Sequence, residues 1–156
     1  MTAPGRASST VAGLRAAVSE DFDSLVRLLE AAALPTAGLP STLADFFVAE
    51  HQGQVVGAVG IEPYGRAALL RSAVVDPAFR RSGIGHALVR RVLDHARDRG
   101  ITELILLTTT ADRYFARFGF VRIAREDVPR AVRESVEFRE ACPASAVAMR
   151  TELSTT

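Results

Sequence analysis

The sequence predicts an α/β domain: a mixed sheet with helices on both faces. Three observations lead there. The first half alternates short aliphatic runs with tight turns at hairpin spacing, from Phe47 to Val75. A long amphipathic helix follows, between the aliphatic runs ending at Val75 and starting at Glu103, which is the pattern of a β-α-β crossover. The composition is that of an ordinary globular chain, with 48% hydrophobic and 24% charged residues over 156 positions.

The elements are expected in the order β-α-α-β-β-β-α-β-α-β-α-β. Met1 to Gly13 is mostly small and polar and reads as a flexible leader, and residues 14–153 as one domain. Leu14–Val18 is a short apolar strand. Ser19 is placed to cap a helix whose first turn carries Glu20, Asp21 and Asp23, where the helix dipole favours acids. Phe22, Leu25, Val26, Leu28 and Leu29 continue it at helical spacing to about Ala33. Pro35, Gly38 and Pro40 break the chain, and Ser41 is placed to cap a short second helix. Phe47–His51 and Gln54–Ile61 flank the turn Gln52-Gly53, and Pro63-Tyr64-Gly65 turns the chain into the strand Ala67–Val75.

Asp76-Pro77 ends that strand. Within Gly83–Arg99, Ile84, Leu88, Val92 and Ala96 recur every four residues, arginines and aspartates fill the other face, and Gly100 stands at the C-cap. Glu103–Thr110 is a buried strand by composition. Ala111–Phe118 is a short helix closed by Gly119, Phe120–Ala124 a strand, Pro129–Phe138 a helix and Ser145–Leu153 a last strand.

Composition narrows the function. No apolar run reaches the roughly 18 residues needed to cross a bilayer, and no charged-apolar-cleavage pattern marks a signal peptide. A cytoplasmic location without membrane association is expected. One cysteine, Cys142, excludes an internal disulfide and a cysteine-rich metal site, so no metal is expected. Nineteen basic and 18 acidic side chains give a net charge of +1, and the basic residues are all arginines scattered among acids. That scatter speaks against nucleic-acid binding.

The most informative stretch is Val74-Val75-Asp76-Pro77-Ala78-Phe79-Arg80-Arg81-Ser82-Gly83-Ile84-Gly85. A strand ends, a proline-marked loop follows, and glycines open a long helix. Amides in the first turn of a helix have no intrahelical acceptor and carry the positive end of the dipole, and glycine lets an anion approach them. The third glycine of a dinucleotide fingerprint is absent, and so is the lysine of a Walker loop.

Arg80-x-x-Gly83-x-Gly85 behind Val-Asp-Pro resembles the acetyl-CoA motif of the GNAT N-acetyltransferases, Arg/Gln-x-x-Gly-x-Gly/Ala. Ala111-x-x-Tyr114-Phe115-x-x-x-Gly119-Phe120 resembles that family's helix after its fifth strand. The resemblance implies a mostly antiparallel sheet of six or seven strands that splays where acetyl-CoA enters, between the strands ending at Val75 and Leu107. It implies that the amides of Arg81, Ser82, Gly83, Ile84, Gly85 and His86 hold the pyrophosphate and that Arg80 shapes the loop entrance. Ala73, Val74 and Val75 would pair with the pantetheine arm, with Phe115 beside the cosubstrate. A small-molecule amine is the implied partner, with pairing into a homodimer.

Leu69-Leu70-Arg71-Ser72, Leu106-Leu107-Thr108-Thr109-Thr110-Ala111 and Cys142-Pro143-Ala144-Ser145-Ala146 are similar to the acetyltransferases found with bacterial arsenic-resistance genes. That resemblance implies an amino-acid-like toxicant as acceptor.

Direct transfer needs a base for the amine and an acid for the leaving thiolate. The family's acid is commonly a tyrosine at the position held here by Phe115, which has no proton to give. Tyr114 stands one residue away as a candidate acid or a packing residue, and Thr108 as a hydroxyl near the thioester or a structural strand end. Glu62 is the candidate base, or an exposed hairpin carboxylate. Arg71 lies mid-strand in an apolar run, as a fork for a substrate oxyanion or an internal partner of a residue such as Glu62. Phe46 and Phe47 are placed as cleft walls or core, His51 as a second candidate base or a solvated side chain beside the Gln52-Gly53 turn, and His86 and His95 as structural. Two rival readings stand beside the enzyme: a catalytically silent CoA-binding sensor, motivated by Phe115, and a protein N-terminal acetyltransferase.

Overall fold

The computed structural model describes residues 13–141 and 145–154. Residues 1–12 of the expected leader, and Cys142 with Pro143 and Ala144, lie outside the described residues, whereas Gly13 opens the first strand. Among the described residues there are seven strands: β1 (Gly13–Ala16), β2 (Phe46–His51), β3 (Gln54–Tyr64), β4 (Ala67–Val75), β5 (Glu103–Thr108), β6 (Val121–Ile123) and β7 (Val147–Glu152). Their order is β1-β2-β3-β4-β5-β7-β6. β4 and β5 run parallel, whereas β1–β2, β2–β3, β5–β7 and β6–β7 are antiparallel, so the sheet is mixed and mostly antiparallel as expected. The α-helices are α1 (Phe22–Ala31), α2 (Ile84–Asp98), α3 (Asp112–Ala116) and α4 (Arg130–Arg133).

The chain forms two compact units. The first comprises the chain up to Gly60 and Ser72–Val92; the second comprises Ile61–Arg71 and the chain from Leu93 on. In the first, consecutive residues of β3 show why helices cover both faces. Ala58 packs with Leu25, Leu29, Leu43, Phe46 and Val48 under α1. Gly57 points the other way, where a Cβ would meet Leu88 at 3.1 Å and Ile84 at 3.3 Å on α2. Gly60 makes room for Phe46, whose ring a Cβ would overlap. In the second unit, Ala67, Leu69, Ile105 and Ala148 of the sheet pack on Val128 and Val132, with Tyr64, Leu107 and Phe138 against them.

The structure redraws several elements. Ser19 does not cap α1; it opens a 3-10 turn over Ser19–Asp21, and Asp21 accepts from the Val18 amide at 2.8 Å. No helix follows Ser41: Leu43 adopts φ 55° and sinks fully into the core, its amide bonding Pro40 O at 3.3 Å. β3 continues to Tyr64, past the turn expected at Pro63-Tyr64-Gly65, so Glu62 stands inside a strand and not at its end. The helix expected over Pro129–Phe138 breaks after Arg133 and resumes as a π-helical turn over Glu137–Ala141. Ser135 explains the break, because its Oγ takes the Phe138 amide at 3.2 Å in competition with the backbone ladder.

Candidate active site

The loop after β4 is built as the sequence suggested. Asp76 Oδ1 accepts from the Ala78 amide at 2.9 Å, the Phe79 amide bonds Asp76 O at 2.8 Å, and Pro77–Phe79 forms a 3-10 turn. The Asp76 amide in turn bonds Val56 O at 2.8 Å, which pins the end of β4 to β3. Ser82 donates its hydroxyl to Phe79 O. Arg81 (φ 68°) and Gly83 (φ 90°) both lie in the left-handed region and bracket Ser82, turning the chain directly into α2. A Cβ on Gly83 would meet nothing within 4 Å, so the space before the helix N-terminus is open. Arg80, Arg81, Gly83 and His86 are exposed or partly so, Ser82 and Gly85 are likewise accessible, and Ile84 is buried as the first anchor of α2. The Ser82 amide bonds Phe79 O at 3.3 Å and the Ile84 amide reaches Ser82 Oγ at 3.4 Å, and the positive end of this 15-residue helix suits a phosphate group.

His51, read as a candidate base or a solvated turn residue, lies against this loop: its ring centroid is 4.9 Å from that of Phe79. Of the three residues expected along the pantetheine arm, Val74 turns its side chain into the α1 core, whereas Ala73 and Val75 are half-buried. Within the first unit an open cavity of about 680 Å³ runs beside Val74, Val75, Asp76 and Arg80 and along α1 at Ser24, Arg27 and Leu28. Phe46, expected as a substrate contact, is 1% exposed in the core under α1. Phe47 is also buried and lies under the Arg91 guanidinium, 4.8 Å from its ring centre.

In the second unit the parallel ladder between β4 and β5 runs through three pairs, Ala67–Glu103, Ala68–Leu104 and Leu69–Ile105. Both strands continue past it. Ser72, three residues beyond the last pair, adopts φ 62°, a left-handed break in a strand of the kind that re-aims side chains. Arg71 stands at this point with a fully buried side chain. Its Nη1 donates to Glu62 Oε2 at 2.7 Å, and its Nε lies 3.3 Å from Glu137 Oε1. Tyr64 Oη donates to the other Glu62 oxygen at 2.7 Å. Both oxygens of the expected base are therefore engaged, and the expected substrate fork holds two internal carboxylates. Burial pushes the Glu137 carboxyl up to about 7 against the pull of Arg71, and burial with the Glu62 hydrogen bond pushes the Tyr64 phenol up to about 12.

The candidate acids lie on α3 or just before it. Thr108 Oγ1 accepts from the Ala111 amide at 2.9 Å and closes the turn into α3. Phe115 is buried against Phe120, with ring centroids 5.8 Å apart. Tyr114 is half-buried between Phe115 and Phe118, with Arg117 over its ring, and burial raises its phenol. His86 and His95 lie on α2, both with partners of their own. Among the described residues no group of three His, Cys, Asp or Glu side chains could hold a metal ion, and no described helix is long and apolar enough to cross a membrane.

Residues 42–122, just over half of the chain, match the family model for the acetyltransferase (GNAT) domain. The chain belongs to the GNAT acetyltransferase family. Over 89 residues it is 36% identical to an uncharacterized N-acetyltransferase of Chlorobaculum tepidum, covering 56% of this chain and 57% of that protein. It is 40% identical over 83 residues to an amino-acid acetyltransferase of Mycobacterium tuberculosis, covering 51% of this chain and 47% of that one. The GNAT chain thus spans about half the length of these curated relatives. A Mycobacterium tuberculosis structure solved in complex with CoA and NLQ superposes with a TM-score of 0.77 at 27% identity, covering 91% of this chain and 99% of that one. N-acetylglutamate synthase of Neisseria gonorrhoeae, complexed with coenzyme A and N-acetyl-glutamate, shares the fold at a TM-score of 0.77 and 22% identity, over 92% of this chain and 35% of its own.

Sequence reasoning missed Glu137 and Tyr64 as partners of Arg71 and Glu62. The signal for Glu137 was there, an acid between Val136 and Phe138 in an otherwise amphipathic stretch. Tyr64 was hidden by its neighbours, since Pro63 and Gly65 made the segment read as a turn.

Proposed function

We propose that this GNAT protein transfers the acetyl group of acetyl-CoA to the amine of a small molecule. The observation that carries the reading is the left-handed pair Arg81 and Gly83 at the mouth of α2, with open space over Gly83. A pyrophosphate there would accept from the first-turn amides, with Arg80 at the entrance and the backbone of Ala73 to Val75 alongside the pantetheine arm. The CoA bound by the Mycobacterium tuberculosis structure and the amino-acid acetyltransferases among the relatives support both the cosubstrate and an amino-acid-like acceptor. The resemblance of the motifs around Arg71, Thr108 and Ser145 supports a toxic amino-acid analogue of the arsenic-resistance type as the acceptor.

The test is the melting temperature with and without acetyl-CoA, in the parent protein and in Gly83→Glu. A ligand that binds only the folded state stabilises it by about 2.7 kcal/mol at 100 times its dissociation constant. A shift in the parent protein that disappears in the variant is the expected outcome; no shift at millimolar acetyl-CoA would sink the reading. Thiol release with glutamate, glutamine and their phosphorus and arsenic analogues then identifies the acceptor.

One observation favours a second reading, a silent CoA-binding sensor. Phe115 fills the usual acid position, buried against Phe120, and has no proton to give the leaving thiolate, which leaves Tyr114 and Thr108 as the candidates. A thiol of ordinary acidity leaves as thiolate without such help, so the enzyme reading stands unless acetyl-CoA binds and no amine releases thiol.

A further inference from the structure

The open cavity of about 680 Å³ is lined by residues of the first unit alone, and it reaches the phosphate turn only at Arg80; residues 81–86 do not line it. Its lining is polarised. Glu20, Ser24, Arg27 and Ala31 follow one another at steps of three and four residues, so they form one stripe facing the cavity from α1 and the turn before it. At the Glu20 end, Arg15 on β1 is held by Asp21 with bonds of 2.8 and 2.9 Å and by Glu50 Oε1 at 3.1 Å. Glu20 itself takes only the Ser19 hydroxyl, at 3.4 Å, among the described residues. Three carboxylates thus surround one arginine, and this end is negative. The far end has the opposite sign. Arg27 and Arg80 have no carboxylate partner among the described residues: Arg27 reaches Ser24 Oγ at 3.3 Å, and Asp76, the acid nearest in sequence to Arg80, turns Oδ1 to the Ala78 amide. Arg27 stands two helical turns on from Glu20, about 10 Å along the axis. Arg80 follows β4, which lies two strands beyond the β2 strand of Glu50, again about 10 Å away. Leu28, Ala31, Val55 and Val74 give the cavity its apolar surface.

From this polarity we infer that the cavity is a binding site for a dipolar ligand, with its ammonium beside Glu20 and Glu50 and its carboxylate at Arg27 and Arg80, about 10 Å apart across an apolar middle. A ligand aligned this way is attracted at both ends, whereas a lone anion or a lone cation is attracted at one and repelled at the other. The length selects the class. An α-amino acid carries both charges on one carbon and spans too little. A tripeptide reaches about 10 Å when extended, at 3.3–3.6 Å per residue, and a straight ω-amino acid of about eight carbons does the same. Ser24 and Gln54 on the cavity wall offer hydrogen bonds to the amides of a peptide. The site uses none of the amides assigned to the pyrophosphate, so it goes beyond the acetyl transfer proposed above and does not depend on it.

Isothermal titration of the full chain with trialanine and with 8-aminooctanoate tests this, with octanoate and octylamine as single-charge controls. The parent protein is compared with Arg27→Gln and Ala31→Glu. Both positions are exposed on α1, so both variants should fold, and their melting temperatures without probe check that they do. Ala31→Glu gives Arg27 an internal carboxylate four residues on. A dipolar probe should bind at millimolar concentration or below, more tightly than either control, and each variant should weaken it about 10-fold. Preference for trialanine identifies a peptide as the ligand, and preference for 8-aminooctanoate an ω-amino acid. The site is overturned if neither dipolar probe binds, if the affinity is unchanged in Arg27→Gln or in Ala31→Glu, or if octanoate or octylamine binds as tightly. Complete displacement of the probe by acetyl-CoA also overturns it, because the cavity would then belong to the cosubstrate. A parent protein that binds the probe and not acetyl-CoA leaves this site standing and removes the proposed transfer alone.

Discussion

Glu137 shows how one buried carboxyl couples stability to pH. Its folded value of about 7 lies above the 4.5 it has in the unfolded chain, with burial as the main cause. The folded state therefore prefers it protonated: there is no penalty well below 4.5, a growing one between 4.5 and 7, and the full penalty above 7. Each pH unit between the two values is worth about 1.4 kcal/mol, so the penalty is at most about 3 kcal/mol, reduced in practice by the Arg71 contact that substitution also removes. Glu137→Gln should therefore melt higher than the parent protein above pH 7, and the gap should close as the pH falls towards 4.5. Thermal melts at half-unit steps check this, and a constant gap across the range would show that Glu137 does not titrate there. Arg71 was legible as a residue that must find a partner, because a charge in an apolar strand is costly alone. Its partners were only half legible. Glu62 is close in sequence across the hairpin, whereas Glu137 arrives from 66 positions away, a distance that strand periodicity does not bridge.

Elements whose shape depends on local chemistry were read well. The loop before α2 is set by Asp76, Pro77 and Gly83, and β2, β4 and α2 lie within a residue of their expected bounds. Elements decided by burial were not. Leu43 abandons a helix to fill the core in a left-handed conformation, and Ser135 ends one by capturing the Phe138 amide. Gly60 belongs to this second group: it reads as an ordinary strand glycine but stands where the Phe46 ring must pass. Gly60→Ala should destabilise the protein by about 1–3 kcal/mol through overpacking. Gly83→Ala meets no neighbour and should cost only the left-handed backbone, about 1–2 kcal/mol. Denaturant melts of the two variants separate a packing glycine from a conformational one; in a Phe46→Ala background, itself destabilised, Gly60→Ala should cost much less than it does alone.

Across the whole molecule, the order of strands and helices carried the fold, because the β-α-β crossover admits few arrangements of the remaining hairpins. Protection should be uneven along this sheet. Leu104, Ile105 and Leu106 are at most 2% exposed and β5 is laddered to β4 on one side and β7 on the other, so their amides should exchange most slowly. β6 has three residues, pairs on one side, and exposes 59% of Val121, so it should exchange early. Hydrogen-exchange mass spectrometry of the intact chain checks the ranking, and early exchange of β5 would contradict this packing.

The hydrogen bond from Tyr64 to Glu62 also has an optical consequence. The chain has no tryptophan and two tyrosines, so Tyr64 and Tyr114 supply nearly all of its near-ultraviolet absorption and emission. A phenol bonded to a carboxylate loses its excited-state proton readily and emits weakly, while Tyr114 sits among phenylalanines. The emission of the native protein is thus mainly that of Tyr114, and any event that loosens Glu62 from Tyr64 brightens it. The protein carries its own dye beside Arg71, and any change in the Tyr64–Glu62 bond can be followed without a label.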